Sequence, residues 1–144
     1  MMCYIVEVSK PPDVHEKLGR HCKQSFDEGN LTDVEEGLNQ LIETMARSEK
    51  RALNSQLIRL MMHVVKWHIQ PEKRSKSWLL SIKNARYEIA KLRQYTPSLN
   101  EEFIHSIWLD ASTEAIGEAE IETDCSAADY LLTWEDVFDK KYTL

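Results

Sequence analysis

The stretch Trp78–Leu92, WLLSIKNARYEIAKL, places apolar side chains at Trp78, Ile82, Ala85, Ile89 and Leu92. Steps of four, three, four and three keep returning to one side of a 3.6-residue turn, so the spacing predicts a helix with a single buried stripe. Pro97 ends it, because the residue before a proline, here Thr96, is pushed out of helical geometry.

Upstream, Leu53, Leu57, Leu60, Val64 and Trp67 repeat the same steps. Ile58, Met61, Val65 and Ile69 add a second apolar row, so this part of the chain is expected at the centre of a helical bundle. Between the two stripes lies QPEKRS (70–75), which reads as a turn. An antiparallel hairpin centred near residue 72 then sets Leu57 near Ile89, Leu60 near Ala85, and Trp67 beside Trp78 as a structural aromatic pair, with about 20° between the axes.

The central helix extends backwards through Val34, Leu38, Leu41, Ile42 and Met45, interrupted by the polar run RSEKR (47–51). Whether Ser48 marks a kink stays open. A first helix is expected from Asp13 to about Glu28, stopped by Gly29 and followed by capping residues in Asn30–Asp33. Ser98 and Glu101 read as a capping box for a fourth helix that carries Leu99, Phe103 and Ile107 and runs to about Glu122. The tail from Asp124 has one short helix near Trp134–Phe138, and Met45, Met61 and Met62 are expected as core filler. The expected fold is all-α, a bundle of about four main helices in a single domain over residues 1–144.

Composition agrees: 144 residues with 42% apolar and 8% aromatic side chains and four glycines suit a helical domain with its own core. The opening MMCYIVEV is too short and wrongly flanked for a signal peptide, and no apolar run approaches the roughly 18 residues of a membrane span, so a cytoplasmic protein is expected. Cys3, Cys22 and Cys125 match neither a disulfide framework nor zinc-ligand spacing; reduced thiols, no metal and no cofactor are expected.

Charge is strongly segregated. Residues 1–45 hold four basic and nine acidic side chains, residues 46–95 twelve and three, and residues 96–144 two and twelve. The net charge of −6 argues against a dedicated DNA-binding protein, and the acidic flanks are expected to lie against the basic middle.

The strings LIETMARSEKRAL (41–53) and LMMHVVKWHIQPEKRSKSW (60–78), followed by Arg86, Ile89, Leu92 and PSL (97–99), resemble a bacterial, largely cyanobacterial, helical domain-of-unknown-function family, number twenty-nine. The resemblance is densest over residues 38–99 and implies an all-α fold with no assigned activity. Positions that fit its pattern are Glu43, Arg47, Ser48, Glu49, His63, Lys66, Trp67, Gln70, Pro71, Arg74, Ser75, Ser77, Trp78 and Arg86. Of these, Glu43, Arg47, His63 and Arg86 form a candidate polar cluster. Gln40 and Leu41 stand where relatives carry an acidic pair.

Catalytic patterns are weak. His63 and His68, five apart, point about 140° from each other around a helix, whereas a shared metal wants i, i+4. Glu43 and His63 would be about 30 Å apart on an unbroken helix. No glycine-rich phosphate loop, G-x-S-x-G or Cys/His pairing is present, and Cys22 beside His21 is read as incidental. Helical ribonucleases separate an arginine and a histidine by four to six residues; Arg59 and His63 have three between them.

The turn offers more. Lys73, Arg74 and Lys76 with the hydroxyls of Ser75 and Ser77 surround the start of a helix, a candidate anion or partner site for phosphate, sulfate or a carboxylate. The plainer reading is a helix beginning at Pro71 whose cations reach into water. The expected function is a protein-protein interaction module, binding another protein or its own copy. The alternatives are a nucleic-acid or other polyanion binder through residues 66–93 and, behind it, a helical ribonuclease-like enzyme. The basic residues of the third helix spread around its circumference and no aromatic ladder for base stacking is evident, which favours the first.

Overall fold

The stripe at 78–92 folds as expected. In the computed structural model, which describes residues 14–144, α3 spans Lys76–Tyr95 and buries Ile82, Ala85 and Ile89, with Trp78 and Leu92 half-buried at its ends. The Ser75 hydroxyl caps it by accepting from the Trp78 N–H at 3.2 Å, and Thr96 closes it, its N–H donating to the Leu92 carbonyl. Before it come α1 (Val14–Asp27) and α2 (Leu31–Ile69), and after it α4 (Glu101–Thr123). A 3-10 turn at Pro71–Lys73 and a π turn at Glu135–Asp139 complete the order, and no strand occurs among the described residues. The expectations for the opening MMCYIVEV, for Cys3 and for Asp13 lie outside those residues.

The chain divides into two compact units, Met1–Ser48 and Glu49–Leu144. Helix α2 runs through Ser48 without a break.

In the second unit, Leu53, Leu57, Leu60, Met61, Val64 and Val65 of α2 are wholly buried. The cross-links between α2 and α3 set an antiparallel register: the Thr96 hydroxyl donates to Glu49 at 3.4 Å, and the Lys66 ammonium sits 4.7 Å over the Trp78 ring. Both pairs straddle residue 72. Helix α4 then runs parallel to α2, with Lys50 5.7 Å over Phe103 near one end and Lys66 bonded to Glu122 at 2.6 Å near the other. Its buried face is Ile104, Ala111, Ala115, Ala119 and Thr123, the last four small residues at steps of four that let a neighbouring helix approach closely.

The cap of α4 differs from expectation. Leu99 is still in a turn, its N–H donating to the Thr96 carbonyl, so the first free helical N–H groups follow Asn100. The Asn100 side chain caps them by accepting from Phe103 N–H at 2.9 Å, and Ser98 takes no part. Asp124, left-handed at φ 53°, ends the helix.

In the first unit, α1 and α2 form a hairpin joined at Gly29, which has φ +77°. Asn30 caps α2 by accepting from Asp33 N–H at 3.1 Å. The helices meet where Cys22 is buried against Gly37; a Cβ at residue 37 would lie 2.5 Å from the Cys22 sulfur. Asp33 accepts from the Ser25 hydroxyl and pairs with His21 at 2.8 Å.

Candidate functional site

The basic turn at 70–77 is spent largely on holding the fold. A helix leaves its last carbonyls without partners. Arg74 supplies one, its Nε donating to the Trp67 carbonyl at 2.8 Å while the guanidinium stacks 5.0 Å above the Trp67 ring. Ser75 is the cap of α3, so two members of the candidate anion site already have structural partners. Lys73, Lys76 and Ser77 are exposed. Trp67 meets the Tyr142 ring edge-on at 5.6 Å, and Trp78 lies under Lys66.

Arg86 ties the C-terminal tail to α3. Its Nε, Nη1 and Nη2 donate to the carbonyls of Val137, Lys140 and Asp136 at 2.8, 2.8 and 3.2 Å, and its guanidinium lies 5.3 Å over the Tyr142 ring. Burial lowers its pKa from the usual arginine value, against the opposing pull of Tyr142 and Asp139. The Tyr142 hydroxyl donates to the Asp136 carbonyl at 2.6 Å, and burial pushes its pKa up to about 12. His68 stacks on Tyr130 at 5.3 Å and meets Tyr142 edge-on at 5.9 Å. Burial, helped by Lys140, lowers the His68 pKa, and burial raises that of Tyr130, whose hydroxyl donates to Asp136 at 3.4 Å.

Beside this latch, between α3 and the tail, is a concavity of about 530 Å³. Leu79, Ile82 and Tyr142 form its wall, and Lys83, Arg86 and Lys141 edge it.

The other members of the candidate polar cluster have surroundings of their own. Half-buried His63 donates from Nδ1 to the Arg59 carbonyl of its own helix at 2.9 Å, and burial lowers its pKa. Glu43 and Arg47 are exposed on the first unit.

Two features escaped sequence reasoning. Trp108 and Trp134 stack at 5.7 Å, and the rings of His105 and Phe138 lie 4.9 Å and 4.5 Å from that of Trp134. These rings come from α4 and the tail, so no local period links them; the i, i+3 and i, i+4 spacings within each pair were the available signal. The second is the first unit's apolar face. Leu38, Ile42 and Met45 belong to the apolar row that extends α2 backwards and are 46%, 65% and 48% exposed, with Leu31 and Phe26 at 66% and 63%. Met45 is therefore no core filler, whereas Met61 is wholly buried.

Among the described residues, no helix is long and apolar enough to cross a membrane, and no three His, Cys, Asp or Glu side chains gather as a metal site. No curated protein and no solved structure matches the chain. The family described as Domain of unknown function DUF29 matches over residues 20–143, well beyond the 38–99 stretch in which the resemblance is densest. The chain belongs to the DUF29 family of helical domains of unknown function.

Proposed function

We propose that this protein is a cytoplasmic protein-protein interaction module whose first partner is a second copy of itself, docked through the apolar face of α2. The observation that carries the reading is the exposure of Leu31, Leu38, Ile42 and Met45 on a unit whose described buried residues are Cys22, Ser25 and Gly37. A contiguous apolar face of this kind on a small helical hairpin calls for a partner.

Symmetry supports a like partner. Leu31, Leu38 and Met45 are spaced seven apart, so the row reads the same in both directions. A two-fold axis at Leu38 sets Leu31 of each copy against Met45 of the other and Val34 against Ile42, while the acidic Asp33 and Glu43 that share this register lie off the apolar face. Four exposed side chains at roughly 100 Å² each bring about 800 Å² into a pair, the scale of a weak, concentration-dependent contact. The polyanion reading is weaker because Lys66 is ion-paired with Glu122 within the chain and the chain as a whole carries a net charge of −6.

Light scattering over a dilution series tests the proposal. The wild-type chain is expected to be dimeric at about 100 μM, a concentration that registers micromolar association. Leu38→Glu should make it monomeric with its helical circular dichroism intact, and Leu38→Cys should form a disulfide between copies on mild oxidation. A monomeric wild type, or a dimer indifferent to Leu38→Glu, overturns it.

A further inference from the structure

We infer that the concavity between α3 and the tail is a binding site for a small amphipathic carboxylate, with its apolar body on Leu79, Ile82 and Tyr142 and its head among Lys83, Arg86 and Lys141. The site lies in the second unit and is independent of the dimer face.

The charge balance leads to this class of ligand. Arg86 spends its three hydrogen bonds on carbonyls, which satisfy donors without neutralising a positive charge. Among the described residues no carboxylate lies within ion-pair distance of it, and Asp139 acts only from beyond that distance. Lys83 approaches from α3 and Lys141 from the tail; both are exposed, and no ion pair engages either. The lining residues thus bring three cations to one concavity with no acid among them, a setting that favours an anion. A guanidinium is well suited to that anion, since it carries five donors in a planar fork and three are in use.

The wall sets the rest of the ligand. Apart from the cations and Thr143, the lining is aliphatic or aromatic, so a bare anion such as phosphate would leave the apolar surface wet. An uncharged alkyl chain would cover that surface and leave the cations unmet. A carboxylate on a medium-length alkyl or aryl body satisfies both, and about 530 Å³ is in the range of small-molecule pockets. The position of the tail follows from the same geometry. Arg86 fixes 136–140, which holds Lys141 and Tyr142 at the pocket edge.

Titration calorimetry on the full chain, using decanoate, decanol and acetate below micelle-forming concentrations, tests the inference. Decanoate is expected to saturate one site per chain, with decanol at least tenfold weaker and acetate showing no saturation. The double variant Lys83→Gln, Lys141→Gln should weaken decanoate about five- to tenfold and leave decanol unchanged, while Leu79→Trp should fill the wall and abolish binding of both. Decanol binding as tightly as decanoate, indifference to the lysine changes, or no saturation by decanoate would each overturn the assignment. None of these outcomes depends on the oligomeric state, which Leu38→Glu reports separately.

Discussion

Two stretches of α2 have nearly the same apolar spacing and opposite fates. From Leu53 to Trp67 the row is buried, Leu53, Leu57, Leu60 and Val64 wholly so; from Leu31 to Met45 much of it faces solvent. The core cluster draws all its buried members from the second unit, where α3, α4 and the tail add apolar rows of their own. The described first unit has two helices and a contact built around Cys22 and Gly37. A stripe states that a helix wants covering, and the number of helices around it decides whether it is covered.

The sharpest contrast is therefore in truncation. Leu57→Ala should destabilise by about 2–5 kcal/mol, as for other buried leucines. Leu38→Ala, at an equivalent stripe position, should change the stability of a monomeric background by no more than about 0.5 kcal/mol. Denaturant melts of the two variants in a chain carrying Ile42→Glu would measure the difference, and equal effects would break the comparison.

Next comes the tail latch that completes the larger core. Arg86→Met removes the donors to three carbonyls and should cost about 2–3 kcal/mol. Arg86→Lys should restore little of this, because an ammonium lacks the planar fork. Hydrogen exchange should rise at 130–142 and stay unchanged at 14–48.

A smaller effect probes the first unit's own packing. Gly37→Ala gains about 1 kcal/mol of helix propensity but drives a methyl group onto the Cys22 sulfur, which should leave a net cost of about 1 kcal/mol. In a Cys22→Ala background the same change should turn stabilising. A cost that persists without the sulfur would mean that something other than this contact limits the hairpin.

The smallest expected effect is in pH. Burial lowers the pKa of His63 and His68 below 6.5. The unfolded chain therefore binds more protons than the native one as pH falls below 6.5, and stability drops until the native rings also protonate. More than about one unit above pH 6.5 both states are neutral there and the dependence vanishes. A His63→Gln, His68→Gln variant should flatten the profile between pH 6.5 and 5, and an unchanged slope would remove both imidazoles from the account.

Much of this was legible in the residues. The 3.6-residue period identified α3 and the buried half of α2, Thr96–Pro97 marked the end of α3, and a turn at 70–75 implied the antiparallel register that the Lys66–Trp78 and Glu49–Thr96 contacts show. Ser98 as the cap of α4 misled because Ser-x-x-Glu is a local pattern, and the turn at 96–99 displaced the helix start by two residues to Asn100. Of the candidate anion site, the sequence located the cations but not their partners. Arg74 turned back onto Trp67 and Ser75 became a cap because helix ends compete for the same donors and acceptors that a ligand would use.

By itself, the sequence determined helix content, the order of the elements, the hairpin register and the family, since all of these follow from local period, turn chemistry and motif. Only tertiary structure decided which apolar rows are buried, that Arg86 holds the tail, and that Trp108 and Trp134 stack. Those outcomes join residues some twenty-five to more than fifty positions apart, and nothing in a local period says which distant surface will arrive to cover a stripe or accept a hydrogen bond.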